Sequence, residues 1–260
     1  MPGSNSFRPA LWRLASALGV GLLLGLLLWP PPEAMRWALR QALCPNLVLV
    51  GLQGSGWHGH AQWAWSAPDG TAPVALPGRL HWHWQQQGLG VVLAWRADCC
   101  MRETAQLRWS LTAPSTLQVQ WPESHWPLAW LRVLGAPWNT LSLEGQLLLS
   151  PASAQLGPAG LQINAPLQAQ VQALRSALVP RVDLGHYTLQ WRPGASAQTP
   201  ELWLDTRQGP LQMRGQGRLL QGRWQFRGEA FAEPGHEALL ANLLQIIGRK
   251  QGERTILSLG

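Results

Sequence analysis

Leu211-Gln-Met-Arg-Gly-Gln-Gly-Arg-Leu219, then Leu220-Gln221-Gly222, then Arg223-Trp-Gln-Phe-Arg-Gly-Glu229, is the stretch whose reading decides the fold. Apolar residues or glycines alternate with Gln and Arg on both sides of a short turn. Successive side chains of a strand point to opposite faces, so the pattern predicts a hairpin with one dry and one wet face. The same period of two recurs at Ala61/Trp63/Trp65, Leu80/Trp82/Trp84, Leu107/Trp109/Leu111, Leu117/Val119/Trp121, Leu161/Ile163/Ala165 and Tyr187/Leu189/Trp191. The fold class expected is therefore mainly β, a loose series of amphipathic antiparallel strands punctuated by Gly and Pro.

Two helical interruptions are predicted. Trp126 to Leu134 is short, apolar and closed by Gly135. Glu237 to Ile247 opens after Pro234-Gly235, ends at Gly248 and puts Leu239, Leu240, Leu243, Leu244 and Ile247 on one stripe. Thr255 to Leu259 returns to strand. Pro151, Pro158 and the small residues around them mark a hinge near 150–160, between sheet segments at about 45–150 and 160–260.

The N-terminal part has a different character. No charge interrupts Leu14 to Pro32, and Leu18 to Trp29 is wholly apolar. At the helical rise, Leu11 to Trp29 covers roughly 28 Å, enough for a hydrocarbon core. Trp12 and Trp29 fall at the two interfaces, and Arg8 and Arg13 precede the span, so residues 1–10 are expected in the cytoplasm and the bulk of the chain outside. Residues 11–32 then form a transmembrane signal anchor. A cleaved signal peptide would share the basic start and leucine-rich centre, but Trp29-Pro30-Pro31-Pro32-Glu33 lacks the small-x-small site of a peptidase. Residues 33–44 read as an amphipathic helix beside the membrane, with Met35, Leu39 and Leu43 on one stripe, and residues 45–260 as the β-rich domain.

Composition excludes several classes of function. The 260 residues are 46% apolar, enough for a core, and only 13% charged, with 17 Trp against one Tyr and three Phe. Net charge is +7, but Lys250 is the sole lysine and the arginines are scattered, Arg249, Lys250 and Arg254 forming the one tight group. Nucleic acid needs a concentrated basic face, so it is not expected as a partner. Cys44, Cys99 and Cys100 offer no zinc-type pairs. A bridge from Cys44 to Cys99 or to Cys100 suits an oxidising periplasm, whereas neighbouring Cys99 and Cys100 are not expected to join each other. Leu43 before Cys44 argues against lipidation.

His58/His60 and His81/His83 each sit two apart, a spacing that projects both rings of a pair from one strand face. No Asp, Glu or Cys lies at ligand spacing beside them, and His81 and His83 alternate with Trp82 and Trp84. These histidines are read as the polar face, and no metal site or cofactor is assigned. Ser55 in Gly54-Ser55-Gly56 lacks the flanking glycines of a nucleophile elbow, since Gln53 and Trp57 occupy those places. The 13 carboxylates are scattered and no glycine loop suits a phosphate. No catalytic residue is assigned, and the protein is not expected to be an enzyme. The tryptophans suit a one-sided core, or an apolar groove for a lipid.

Several stretches, in order along the chain, resemble the type II secretion system protein N family. Gly54-Ser-Gly-Trp-His-Gly-His-Ala61 resembles its Gly-x-x-Trp-x-Gly-x-Ala signature. Further similarities are Leu76-Pro-Gly-Arg-Leu-His-Trp82, Asp183-Leu-Gly-His-Tyr-Thr-Leu189, Gly209-Pro-Leu-Gln-Met-Arg-Gly-Gln-Gly217 with Trp224-Gln-Phe-Arg-Gly228, and Leu239-Leu-Ala-Asn-Leu-Leu-Gln-Ile-Ile-Gly248. Residues 96–140 are similar only in pattern. The resemblance implies a Gram-negative inner-membrane accessory of the machine that exports folded proteins through an outer-membrane secretin. Its partners would be inner-membrane and secretin components, and inner-membrane lipid. It also implies kinship with AsmA-like proteins, whose curved antiparallel sheets can hold an apolar ligand in a groove. It supplies no catalytic residues.

Overall fold

In the computed structural model the described residues are 47–65, 74–134, 138–158, 160–163, 167–192, 201–220 and 223–259. The expected anchor (11–32), the helix at 33–44 and Cys44 lie outside them. Among the described residues no helix is long and apolar enough to cross a membrane.

Alternation does what the hairpin at 211–229 predicts. The strands in chain order are β1 (Leu47–Gly54), β2 (His58–Trp65), β3 (Val74–Ala75), β4 (Leu80–Gln87), β5 (Gly90–Ala97), β6 (Ala105–Ser110), β7 (Ala113–Trp121), β8 (Ser124–Pro127), β9 (Leu143–Leu149), β10 (Ala152–Gly157), β11 (Gly160–Ile163) and β12 (Leu167–Ser176). They continue as β13 (Gly185–Arg192), β14 (Glu201–Gln208), β15 (Leu211–Leu220), β16 (Arg223–Ala232), β17 (Arg249–Gln251) and β18 (Arg254–Leu259). A 3-10 helix (Leu128–Leu134) and two α-helices, α1 (Trp138–Leu141) and α2 (Glu237–Ile247), interrupt them.

Two antiparallel sheets result. The first runs β1-β2-β4-β5-β6-β7-β10-β11, with β3 also on β2, and the second β17-β18-β16-β15-β14-β13-β12-β9-β8. The chain passes between them along nearly unbroken strands. Trp121 pairs with Ala152 in the first sheet and Ser124 with Leu149 in the second. The register is the same on both sides, so Pro122 and Pro151 stand opposite one another at the seam. Proline brings no N–H to a ladder, which is why the pairing breaks there and resumes in step beyond it. Ser150 stitches the junction, its N–H donating to Gln168 O (2.8 Å) and its Oγ accepting from Gln168 N (2.9 Å).

The main core belongs to the second sheet. Leu143, Leu174, Tyr187, Leu211, Ala230 and Leu257 on its strands pack with Leu128, Leu141, Leu240 and Leu243 from the helices. Burying each of these leucines stabilises by roughly 1.5–3 kcal/mol, and truncating Leu240 would cost about 2–5 kcal/mol. Close packing explains the glycines of the 211–229 hairpin. A β-carbon at Gly215 would meet Phe226 Cζ at 2.5 Å, and one at Gly228 would meet Cε1 at 3.2 Å, so the ring lies over backbone that carries no side chain. At the 183–189 turn the hydroxyl of Tyr187 bridges the carbonyls of Leu184 (2.8 Å) and Leu211 (2.9 Å). Gly185 and Gly209 both take positive φ beside it. A β-carbon at Gly209 would stand 2.2 Å from the α-carbon of Gly185, so neither tolerates a side chain.

The structure corrects four expectations. Trp126 and Pro127 are strand residues paired with Leu147 and Gln146, so the helix, of 3-10 type, starts only at Leu128. Leu239 is 45% exposed, because α2 docks through Leu240 and Leu243 and residue 239 is turned a hundred degrees away. Leu111 lies past the end of β6 in the turn to β7 and is exposed. Cys99 and Cys100 are disulfide-bonded to each other, which leaves neither for Cys44. The cause is local: Cys100 N and Met101 N both donate to Ala97 O, curling the chain after β5 into a tight turn that brings the two sulfurs together.

Candidate functional site

The turn between β1 and β2 is built by Gly54, Ser55 and Gly59. Gly54 has φ of 100°, and a β-carbon there would meet His58 O at 2.4 Å. Ser55 is buried, with Oγ accepting from Trp57 N (3.2 Å) and His58 N (3.3 Å), so its hydroxyl shapes the turn. Trp82 Nε1 donates to Ser55 O (3.2 Å), tying β4 to the turn, and Ala61 is fully buried. Each residue of the Gly-x-x-Trp-x-Gly-x-Ala stretch except Trp57, which packs edge-on against Trp84, thus has an internal packing reason.

One face of the first sheet carries most of its polar residues, together with the buried Ala64, Val92 and Ala94. On β2 and β4 it brings together the two histidine pairs that stand apart in sequence, with His58 directly opposite His83 and His60 opposite His81. His60 and His81 rings lie 5.4 Å apart. Arg79 Nη1 reaches His60 Nε2 at 3.0 Å, and His81 Nε2 bonds Asp98 Oδ2 at 3.0 Å. The bond from His81 holds the Asp98 carboxyl below the usual carboxylate range, opposed by partial desolvation and aided by Arg79 N–H and Arg96. Sequence spacing hides this carboxylate, because it arrives from the end of β5. Further along, the same face carries Gln106, Gln118, Gln120 and Gln155, with Arg96 and Arg108.

The opposite face is apolar apart from Gln86 near the end of β4. Register places Trp63, Ala61, Leu80, Trp82, Trp84, Trp95, Leu93, Leu107, Trp109, Val119, Leu117 and Leu156 there. Near the seam it is covered: Cys100, Met101, Ala97 and Ala105 are buried with Trp95, Trp121 and Trp126 against them. Away from the seam it is open, with Trp84 37% and Leu156 49% exposed and Leu93, Leu107, Trp109, Leu117 and Val119 half-buried. Trp121 contacts both Trp95 (5.9 Å) and Trp126 (6.1 Å), so the aromatic lining continues across the seam. A small cavity between Trp63, Trp126, Leu80 and Cys99 holds no more than about one water, and is no lipid pocket. Any apolar ligand would lie on the open face.

The edges differ in chemistry. Among the described residues β1 pairs only with β2, and it carries Val48 and Val50 on one face and Leu49 on the other, with Val50 49% exposed. The far edge, β17, is Arg249-Lys-Gln251 and fully exposed, a short cationic strand of the kind that discourages pairing. The basic group noted in sequence is dispersed: Arg254 binds Glu229 at 2.6 Å beside Arg214, leaving Arg249 and Lys250 on the edge. The two Arg bonds, that of Arg254 foremost, hold the Glu229 carboxyl below its ordinary range.

Among the described residues no three His, Cys, Asp or Glu side chains are grouped at metal-ligand spacing, and the buried Ser55 Oγ has His58 Nδ1 at 3.5 Å beside the two backbone N–H groups it accepts from. What the geometry offers is surface: an apolar face, a histidine-bearing face and a strand edge that no other described strand pairs. A family model described as type II secretion system protein N matches residues 45–257. No curated protein and no solved structure matches the chain.

Proposed function

The chain belongs to the type II secretion system protein N family, and from that premise we propose that it is an accessory, non-enzymatic component of type II secretion. On this reading residues 11–32 hold it in the inner membrane and its β-rich part works in the periplasm. There it contacts other inner-membrane components and the secretin, so that folded proteins leave across the outer membrane.

The observation that supports direct contact is the edge of β1. Its outer N–H and C=O groups face no other described strand, and it carries the half-buried Val48 and Leu49 and the exposed Val50 where β17 is charged. A partner strand can add there through main-chain bonds, with Val50 and its neighbours supplying side-chain specificity. Deleting the gene should leave type II substrates folded in the periplasm. Restoring the wild-type gene should recover export, while Val50→Lys, which charges the edge, should recover it poorly despite normal protein levels. Unchanged export in the deletion strain would sink the reading.

A second reading is favoured by the open apolar face around Trp84, Leu107, Trp109 and Leu117: an acyl chain lies along it, and the protein carries lipid. Mass spectrometry of residues 45–260, purified without detergent, tests this. Stoichiometric lipid, lost in Leu107→Glu, would support it; a lipid-free domain would remove it.

A further inference from the structure

We propose that the polar face of β2 and β4 is a site for a late first-row divalent cation, Zn2+ or Cu2+, ligated by His58, His81 and His83. Three imidazoles with an open fourth position suit either ion, and neutral nitrogen donors on a sheet select against Mg2+ and Ca2+.

The register carries the case. His81 and His83 are two apart on β4 and so share a face, and His58 stands opposite His83 on β2. Trp84 N donates to Trp57 O at 2.7 Å, so by the alternation of an antiparallel ladder the next pair, His58 and His83, is a closely spaced one. Its β-carbons are then about 5 Å apart, a span that two imidazoles can bridge onto one ion. The surrounding groups divide the labour. Asp98 accepts from His81 Nε2, fixing the ring and leaving Nδ1 for a metal, the usual carboxylate support of a ligating histidine. Among the described residues His83 has no hydrogen-bond partner and His58 Nε2 has none, while His58 Nδ1 lies 3.5 Å from Ser55 Oγ.

The fourth corner explains why the ligand set stops at three. Arg79 can only donate, so at 3.0 Å it claims the Nε2 lone pair of His60, and the 3.1 Å contact of that nitrogen with Gln53 Oε1 is then no hydrogen bond. A guanidinium thus sits where a cation would bind. The three ligand rings do not converge in the metal-free geometry. Drawing them in takes rotation of half-exposed or exposed side chains, which costs little.

The test uses tag-free full-length protein in detergent, stripped with a chelator and titrated with ZnCl2 by calorimetry and with CoCl2 by visible absorption. One equivalent should bind in the micromolar range or tighter, and Co2+ should give the intense bands of a low-coordinate nitrogen site. His58→Ala, His81→Ala and His83→Ala should each weaken binding by about tenfold or more, and Asp98→Asn less. Arg79→Gln should strengthen it by freeing His60, a gain that scattered surface histidines would not give. His125→Ala serves as the remote control. Absence of saturable binding, or binding that survives His58→Ala and His83→Ala or is unmoved by Arg79→Gln, would overturn the proposal.

Discussion

Trp82 closes over Gly59 across the β2–β4 ladder: a β-carbon at residue 59 would come within 2.8 Å of indole Cζ2 and 2.5 Å of Gln53 O. The indole could swing away, but the carbonyl belongs to the paired strand and cannot. Gly59→Ala should therefore destabilise by about 1–3 kcal/mol through overpacking. Thermal unfolding followed by tryptophan fluorescence measures it, and an unchanged midpoint would show that β1 yields freely.

Tyr187 is 2% exposed and its hydroxyl is shared between Leu184 O and Leu211 O. Tyr187→Phe keeps the ring and removes the donor those carbonyls share, Leu184 O still accepting from Leu211 N (3.2 Å), so urea denaturation should show a loss of about 1 kcal/mol with the fold retained. Burial pushes the phenol far above its ordinary range, so the difference between the two proteins should stay constant through neutral and mildly alkaline pH.

Glu229 lies between Arg254 and Arg214, which depress its folded-state pKa. A carboxylate depressed on folding contributes stability that is fully present above its unfolded pKa and is lost as pH falls through the lower folded value. The melting temperature should thus fall on acidification below about pH 4.5, the ordinary Glu range. Glu229→Gln should be less stable at neutral pH and show a shallower acid slope. Because the cluster is solvent-accessible, the difference should shrink in high salt; equal slopes in both proteins would refute the assignment.

The expected topology makes a further prediction. Protease added to spheroplasts should digest the chain beyond about Pro32 and leave a short protected N-terminal fragment. A soluble domain lacking the residues before about Glu33 would instead reveal a cleaved signal peptide.

Local pattern carried most of the architecture into view. The hairpin at 211–229 and helix α2 at Glu237–Ile247 follow from periods of 2 and 3.6, and the strands around Trp63, Trp82 and Trp191 from alternation alone. The misreadings arise where pairing overrides local preference: Trp126 looks helical until Leu147 is seen beside it, and Leu111 looks like strand until the turn is placed. The Cys99–Cys100 bond depends on a tight turn that spacing cannot express. The histidine face was half legible. His-x-His spacing announced each pair, but the register that sets His58 against His83, and the arrival of Asp98 from another strand, are tertiary facts.

The seam at Pro122 and Pro151 bears on how the chain acquires its structure. With β7 and β8 taken as one strand and β9 and β10 as another, nearly every strand pairs with its neighbours in sequence order, from β1 through β16. A polypeptide emerging N-terminus first therefore finds each partner already delivered, and the sheet can grow by successive addition with short loops to close. Low sequence separation between partners favours rapid folding and limits the time that apolar strands spend unpaired. Only the pairings of β18, onto β16 across α2 and onto β17, must wait for the last described residues. A truncation ahead of Arg249 should leave the earlier strands paired yet expose the flank of β16, making loss of the C-terminus a defect of solubility before it is one of shape.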